Sequence, residues 1–325
     1  MKKKTGFAAI VCMMLLATQG CGMEGQMEIL PDGSSQTTVY TYSTEEEENA
    51  ILKEMGYANA SFSAMMPMAG FTYVGEEDIN NKVYHKYTQT ENMDAKETNS
   101  QFVVKNEDKA VMAYSSLDSL SETQGAGQNM EALKNMDFYR ASIKFPNTIV
   151  NANVEAEADT IKMDLNSKFS EDRVYATFKE GVTEKKDLTV TGASNNKYYK
   201  KNVTIKAKSS GVITQFRVNN KPQEKDSYTA TRDGVYKVNI KLASGVTKTV
   251  KFTVDKTKPT TNVKAKTYKK SVKITFKDKG SGMKTATLNK KKIKSGKTVT
   301  KAGSYTLVLK DKAGNAKTIK FKIRK

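Results

Sequence analysis

The chain holds one histidine, His85, and two cysteines, Cys12 and Cys21, in 325 residues. A metal centre built on imidazole or thiolate needs several such groups, and His85 has no second histidine to work with. It alternates with Val83 and Tyr87, the spacing of an ordinary strand residue, so neither a His-based triad nor a His-activated cysteine is expected. Met65, Met66 and Met68 offer thioethers that suit a soft metal, or an adaptable apolar patch for a lipid or partner. Core filling or a loop is the expectation, because methionine commonly fills irregular gaps. Glu45–Glu48 point in different directions on a helix, which suits a capped, solvated helix start better than a calcium site. Asp311-Lys312-Ala313-Gly314-Asn315 lacks the alternating ligands of a calcium loop and reads as a turn. No cofactor is expected, and the chain is expected not to be an enzyme. Paired carboxylates in the acidic half are the remaining catalytic alternative.

Cys21 is different. Lys2, Lys3 and Lys4 precede an apolar stretch over residues 7–18, and Ala17-Thr18-Gln19-Gly20 lead into Cys21. This charged-then-apolar order, too short to span a membrane, marks residues 1–20 as an export signal. The ending resembles a bacterial lipobox, with Thr18 where that family usually has Leu and Gln19 as a tolerated variant. The resemblance implies that Cys21 carries a diacylglyceryl thioether and becomes the N-terminus. Cys12 leaves with the signal, so the mature chain would have no cysteine pair to oxidise. Two acyl chains give stable attachment where one is marginal. The expected partner at Cys21 is therefore membrane lipid, on the outer face of the cytoplasmic membrane.

The elements that position these residues fall into two halves of opposite charge. Residues 188–325 hold 36 Lys+Arg and 6 Asp+Glu, a net +30. Residues 21–187 hold 15 basic and 29 acidic residues, a net −14. Such a break marks a domain boundary and different partners. The basic half contains one unit twice at an offset of 69 residues. Tyr199-Lys200-Lys201 matches Tyr268-Lys269-Lys270, Gly234-Val235-Tyr236 matches Gly303-Ser304-Tyr305, and Val250–Val254 matches Ile319–Ile323. Each block alternates apolar with polar residues, the period of a half-buried strand. Lys273, Lys277, Lys320, Lys322 and Arg324 fall on the outward phase. They are the candidate contacts for an anionic cell-wall polymer, because edge protection alone hardly needs so many lysines. Few aromatics interleave with them, so nucleic acid is not an expected partner.

The Val254–Thr260 linker, the Tyr-Lys-Lys strand start, Leu288-Asn289-Lys290 and Asp311–Asn315 resemble bacterial immunoglobulin-like repeats. The resemblance implies two all-β immunoglobulin-like sandwiches, residues 188–256 and 257–325, serving as spacer or adhesive units. In residues 21–187, hairpins are expected at Met27–Tyr42, Phe71–Tyr87 and Phe102–Tyr114, and helices at Glu45–Met55 and Asn129–Met136. Strands follow at Ile143–Phe145, Thr148–Val154, Ile161–Leu165 and Arg173–Phe178. This order predicts an α+β domain with an antiparallel sheet. Ser142–Pro146 through Val174–Phe178 resemble the end of an LppM-type lipoprotein domain.

The expected whole is a non-enzymatic, lipid-anchored surface protein for binding or spacing. A lipid- or small-ligand-binding protein with its pocket in residues 21–187 is the alternative. Cys21→Ala is expected to release the chain into the medium or leave it unprocessed. Fractionation of cells checks this, and a mutant that is processed normally and still held at the membrane would refute the anchor.

Overall fold

Period-2 alternation dominates the sequence, and strand is what it forms. The computed structural model describes residues 21–54, 56, 57, 59–96, 103–113, 136–165, 167 and 171–325. The chain divides into two compact units, Met1–Lys185 and Lys186–Lys325.

The first unit opens with the hairpin β1 (Gly22–Ile29) and β2 (Ser35–Ser43), followed by helices α1 (Glu45–Glu54) and α2 (Phe62–Met65). A 3-10 turn, Met66–Ala69, leads into the hairpin β3 (Thr72–Ile79) and β4 (Lys82–Met93). Then come β5 (Val103–Asn106), β6 (Lys109–Ala113), β7 (Phe138–Lys144) and β8 (Asn151–Ala152). The unit ends with β9 (Glu155–Glu157), β10 (Thr160–Asp164) and β11 (Arg173–Thr177). Seven strands form one sheet in the order β3-β4-β2-β1-β7-β10-β9, and four form another, β5-β6-β11-β8. Met23, Met27, Ile143, Phe145 and Ile161 of the first sheet bury against Ala110, Val174 and Ala176 of the second.

The larger sheet is mixed rather than antiparallel, because β1 runs parallel to β7 with Gly22 opposite Phe138. The three expected hairpins form, β3 and β4 extending to the Asn80–Asn81 turn. Hairpins are local and carry turn signals, whereas the β1–β7 pairing joins distant segments with no turn between them. Strand outweighs helix among the described residues. Of the two expected helices α1 forms, and Asn129–Met136 lies outside the described residues except for Met136, which is not helical. Thr44 and Glu47 start α1 with a capping box: Thr44 N donates to Glu47 Oε2 at 2.8 Å and Glu47 N to Thr44 Oγ1 at 3.3 Å. At the head of β1 the Phe138 ring lies against Gly22, where any Cβ would come within 2.2–2.6 Å of it.

The second unit repeats one pattern twice. Its first copy runs β12 (Thr189–Thr191), β13 (Lys197–Tyr199), β14 (Val203–Lys208), β15 (Ile213–Val218), β16 (Lys221–Pro222), β17 (Ser227–Ala230), β18 (Gly234–Leu242) and β19 (Thr247–Val254). The second opens with β20 (Thr260–Thr261), β21 (Thr267–Lys269), β22 (Val272–Ile274) and β23 (Phe276–Lys277). It closes with β24 (Met283–Leu288), β25 (Lys291–Lys292), β26 (Lys297–Val299), β27 (Gly303–Asp311) and β28 (Ala316–Arg324). The five-stranded sheets β13-β19-β18-β15-β16 and β21-β28-β27-β24-β25 correspond strand for strand. Each copy closes its own core against shorter opposing strands.

The matched aromatics build the same cluster in both copies. Tyr236 stacks on Phe252 at 5.4 Å and Tyr305 on Phe321 at 5.3 Å, while Tyr199 and Tyr268 meet the same phenylalanines edge-on. Tyr236 and Tyr305 donate their hydroxyls to the carbonyls of Arg232 and Lys301, each four residues upstream, in the manner of a tyrosine corner. Asn219-Asn220 and Asn289-Lys290 close hairpins with positive φ at both central positions, the form that matches strand twist. A fragment of residues 255–325 is expected to fold alone, with β-type circular dichroism and one cooperative melt. Phe321→Ala should then cost about 3–5 kcal/mol, because the buried ring leaves a cavity. A disordered fragment would refute the independence of this copy.

Candidate functional site

Residues 234–325 contain three acidic side chains, Asp255, Asp278 and Asp311, each followed by lysine. The fold brings all three together, with carboxylate oxygens within 4.8 Å of one another. Asp255 and Asp311 are fully buried and Asp278 is half-buried. They come from the segment joining the two copies, from the loop after β23, and from the end of β27. Among the described residues this is the one group of three such ligands close enough to hold a metal ion.

Like charges this close need compensation, and backbone amides supply it. Asp255 accepts from Thr257 N at 3.0 Å and Ser281 N at 2.6 Å, and Asp278 from Gly282 N at 2.7 Å. Asp311 accepts from Gly314 N at 2.6 Å, Asn315 N at 2.8 Å and Asn315 Nδ2 at 2.8 Å. The same Asn315 amide group reaches the carbonyl of Asp255 at 2.7 Å. A Cβ on Gly280 would lie 2.3–2.5 Å from the Asp255 carboxylate, so only glycine lets the loop approach. On its other side the linker is fixed by Asp233, which accepts from Lys256 N at 3.0 Å and Thr257 Oγ1 at 2.6 Å. The Thr257 hydroxyl holds the Asp233 carboxyl below its ordinary value.

The first copy keeps one part of this arrangement. Asp187 accepts from Ser210 N at 2.8 Å, as Asp255 does from Ser281 N. Ser209 and Leu242 stand at the positions of Asp278 and Asp311, shifted by the 69-residue offset, so no second or third carboxylate gathers there. The expected turn at Asp311–Asn315 is present, with Gly314 at φ +95°. What sequence reading misses is the convergence, although the scarcity of acids and the three Asp-Lys pairs are visible in it.

The five expected polymer contacts are all exposed. Lys320, Lys322 and Arg324 share the outward row of β28, with Thr306 opposite Lys320, Ser304 opposite Lys322 and Lys269 opposite Arg324. Lys273 and Lys277 lie on the opposing layer, paired with Thr298 and Thr260. The five therefore form two faces rather than one. In the first copy Lys237 stands directly opposite Lys251, both exposed.

Cys21 is buried at the head of β1, its Sγ 3.8 Å from Glu47 Oε2. Burial, with the Glu47 charge beside it, pushes the thiol up to about 12, so it is no thiolate nucleophile at neutral pH. Lys82 bridges Glu47 at 3.2 Å and Asp137 at 2.7 Å, and Tyr84 donates to Asp137 at 2.5 Å. Attachment of lipid at Cys21 therefore requires this strand end to open or to be modified before it folds. His85 is a half-buried strand residue whose Nδ1 lies 2.9 Å from Glu48 Oε2, and Glu48 also accepts from Ser43 Oγ and Tyr87 OH. Between the sheets of the first unit lies an apolar cavity of about 10 Å³ lined by Ile29, Val111, Phe145 and Ile161, room for about one water. No helix among the described residues is long and apolar enough to cross a membrane.

No protein family matches the chain, and no curated protein does. Among solved structures, the folded domain of LppM from Mycobacterium tuberculosis aligns with 50% of this chain and 94% of its own, at 10% identity and a TM-score of 0.27. The first two immunoglobulin domains of DIP-gamma align with 42% of this chain and 96% of theirs, at 12% identity and a TM-score of 0.20. The N-terminal eight immunoglobulin domains of Down Syndrome Cell Adhesion Molecule align with 94% of this chain, at 9% identity and a TM-score of 0.26; the match spans 48% of their length. These likenesses are too loose to assign a family.

Two substitutions at the carboxylate group should differ in their effect on stability. Asp311→Ala leaves the N–H groups of Gly314 and Asn315 without their acceptor and should cost at least about 2 kcal/mol. Asp278→Asn keeps an acceptor for Gly282 and removes one of three like charges, so it should be neutral or stabilising. Thermal melts of residues 186–325 decide. A loss for Asp278→Asn together with a gain on adding calcium would show instead that a hard cation compensates the three carboxylates.

Proposed function

We propose that the chain is a non-enzymatic surface lipoprotein, anchored through Cys21, whose immunoglobulin-like modules bind anionic cell-wall polymer. One observation carries this reading. Residues 257–325 contain 22 Lys+Arg and two carboxylate side chains, Asp278 and Asp311, and both are withdrawn into the group around Asp255. Among the described residues, no lysine or arginine of this module lies within 4.0 Å of a carboxylate. Two carboxylates gathered at one place leave most of its charge uncompensated within the module.

The pairing of like charges points the same way. Arg324 opposite Lys269, and Lys251 opposite Lys237, cost stability in an isolated sheet. A polyanion lying across them reverses that sign. Hydroxyls of Thr306, Ser304 and Thr267 beside the β28 row add neutral donors, and lysine serves as a point charge that suits diffuse attraction. The small cavity in the first unit gives no such support to a ligand-binding reading of residues 21–187.

Retention of residues 186–325 on purified wall, with and without its anionic polymer, tests the proposal across a salt series. Binding should weaken steeply with salt as counterions are released. Replacing Lys320, Lys322 and Arg324 together with Gln should lower the log–log slope by about 2–3, at roughly 0.7–0.9 per neutralised charge. Salt-insensitive retention, or equal binding to wall stripped of polymer, would reduce the lysines to a solvated face.

A further inference from the structure

From Met55 to Gly75 the sequence has no charged residue, a run of 21 in a chain that is 27% charged. At that composition a stretch of this length would hold about six charges, and no other uncharged run beyond residue 21 approaches it. A run so apolar would ordinarily be core. Here much of it lies at the surface: Tyr57, Tyr73 and Val74 are exposed, Phe62, Met65 and Met66 are half-exposed, and among the described side chains of the run only Phe71 is buried.

The fold explains how the run stays in place. Phe71 and Tyr87 anchor it from below, with Phe62 5.8 Å and Tyr73 5.4 Å from the Tyr87 ring. Gly70, at φ +86°, returns the chain from the Met66–Ala69 turn into β3. The result is a short helical shelf on the α1 side of the sheet, with methionine and tyrosine on its surface.

The position of Cys21 identifies the occupant. Gly22 pairs with Tyr42, Ser43 with His85, and His85 with Glu76, so Cys21 sits at the level of that row. Tyr73 lies 6.0 Å from the His85 ring in the same region. Three strand spacings separate β1 from β3, about 14 Å. A lipid chain leaving Cys21 would bring a bilayer to this end of the unit.

We infer that the surface carrying Tyr57, Phe62, Met65, Met66, Tyr73 and Val74 docks on the membrane interface, with Tyr57, Tyr73 and Val74 entering the headgroup region around the Cys21 anchor. The inference rests on the anchored reading above. Tyrosine belongs at the headgroup level, and flexible methionine packs readily against irregular partners. Glu76, Glu77 and Asp78 border the patch, so attraction to anionic lipid does not drive the contact. Apolar burial does, and salt does not screen it as it screens charge attraction.

The chain has no tryptophan, so one introduced indole reports alone. Val74→Trp is the probe and Val235→Trp the control, since both valines are 54% exposed. Each is placed in the lipidated chain and in the lipid-free mature chain carrying Cys21→Ser, with phosphatidylcholine vesicles. Emission from the Val74→Trp protein should shift to the blue and be quenched by brominated acyl chains at low and high salt alike. Emission from the Val235→Trp protein should do neither. In a second measurement, Tyr73→Glu with Met66→Glu should reduce vesicle partitioning of the tryptophan-free protein. Tethering raises local concentration, so a shift seen only in the lipidated chain supports docking. No shift in either form, or a shift abolished by salt, overturns it. Mass spectrometry of the N-terminal peptide tests the anchor separately, so a chain without lipid is told apart from a lipidated chain whose patch stays in water.

Discussion

The buried carboxylate of Asp255, bonded to the N–H groups of Thr257 and Ser281, is the constraint on which the second unit depends. It belongs to the linker and grips the second copy, while Asp233 of the first copy grips the next two residues. The junction is thus a chain of acceptors and amides rather than a free hinge. Gathering Asp278 and Asp311 at the same place has an electrostatic effect on everything downstream. The negative charge available to residues 257–325 is confined to one end, and the field over the remaining surface is of a single sign.

Much of the second unit is legible in the sequence because its signals are local and duplicated. The 69-residue offset locates the aromatic clusters without any geometry, since Tyr199, Tyr236 and Phe252 recur as Tyr268, Tyr305 and Phe321. Strand phase identifies the outward lysines. It does not say that Lys273 and Lys277 lie on another layer, because phase fixes the face of a strand and not the sheet to which it belongs. The carboxylate group is hidden for a related reason. Asp255, Asp278 and Asp311 are each explicable as turn or linker residues, and convergence emerges only when the strands between them are folded.

The first unit yields less. Its hairpins announce themselves by turn residues, but the parallel β1–β7 pairing that completes the large sheet has no local mark. Helix α1 is legible from its cap, and the structure identifies Thr44 as the capping hydroxyl. Met65 and Met66, taken singly, read as core filler or loop; they lie half-exposed on a charge-free segment. A residue-by-residue reading of Met misses what the absence of neighbouring charge conveys.

Gly22 joins two requirements that are usually separate. It is the residue after Cys21, and its missing side chain is the seat of the Phe138 ring, which also packs on Tyr42 and Tyr84. The boundary at which a leader would be cut therefore coincides with the first contact of the aromatic cluster on that face. A bulkier residue in place of Gly22 would have to displace that ring before the strand could seat. The head of β1 is thus set by what the aromatic cluster can accommodate as much as by the strand pairing itself.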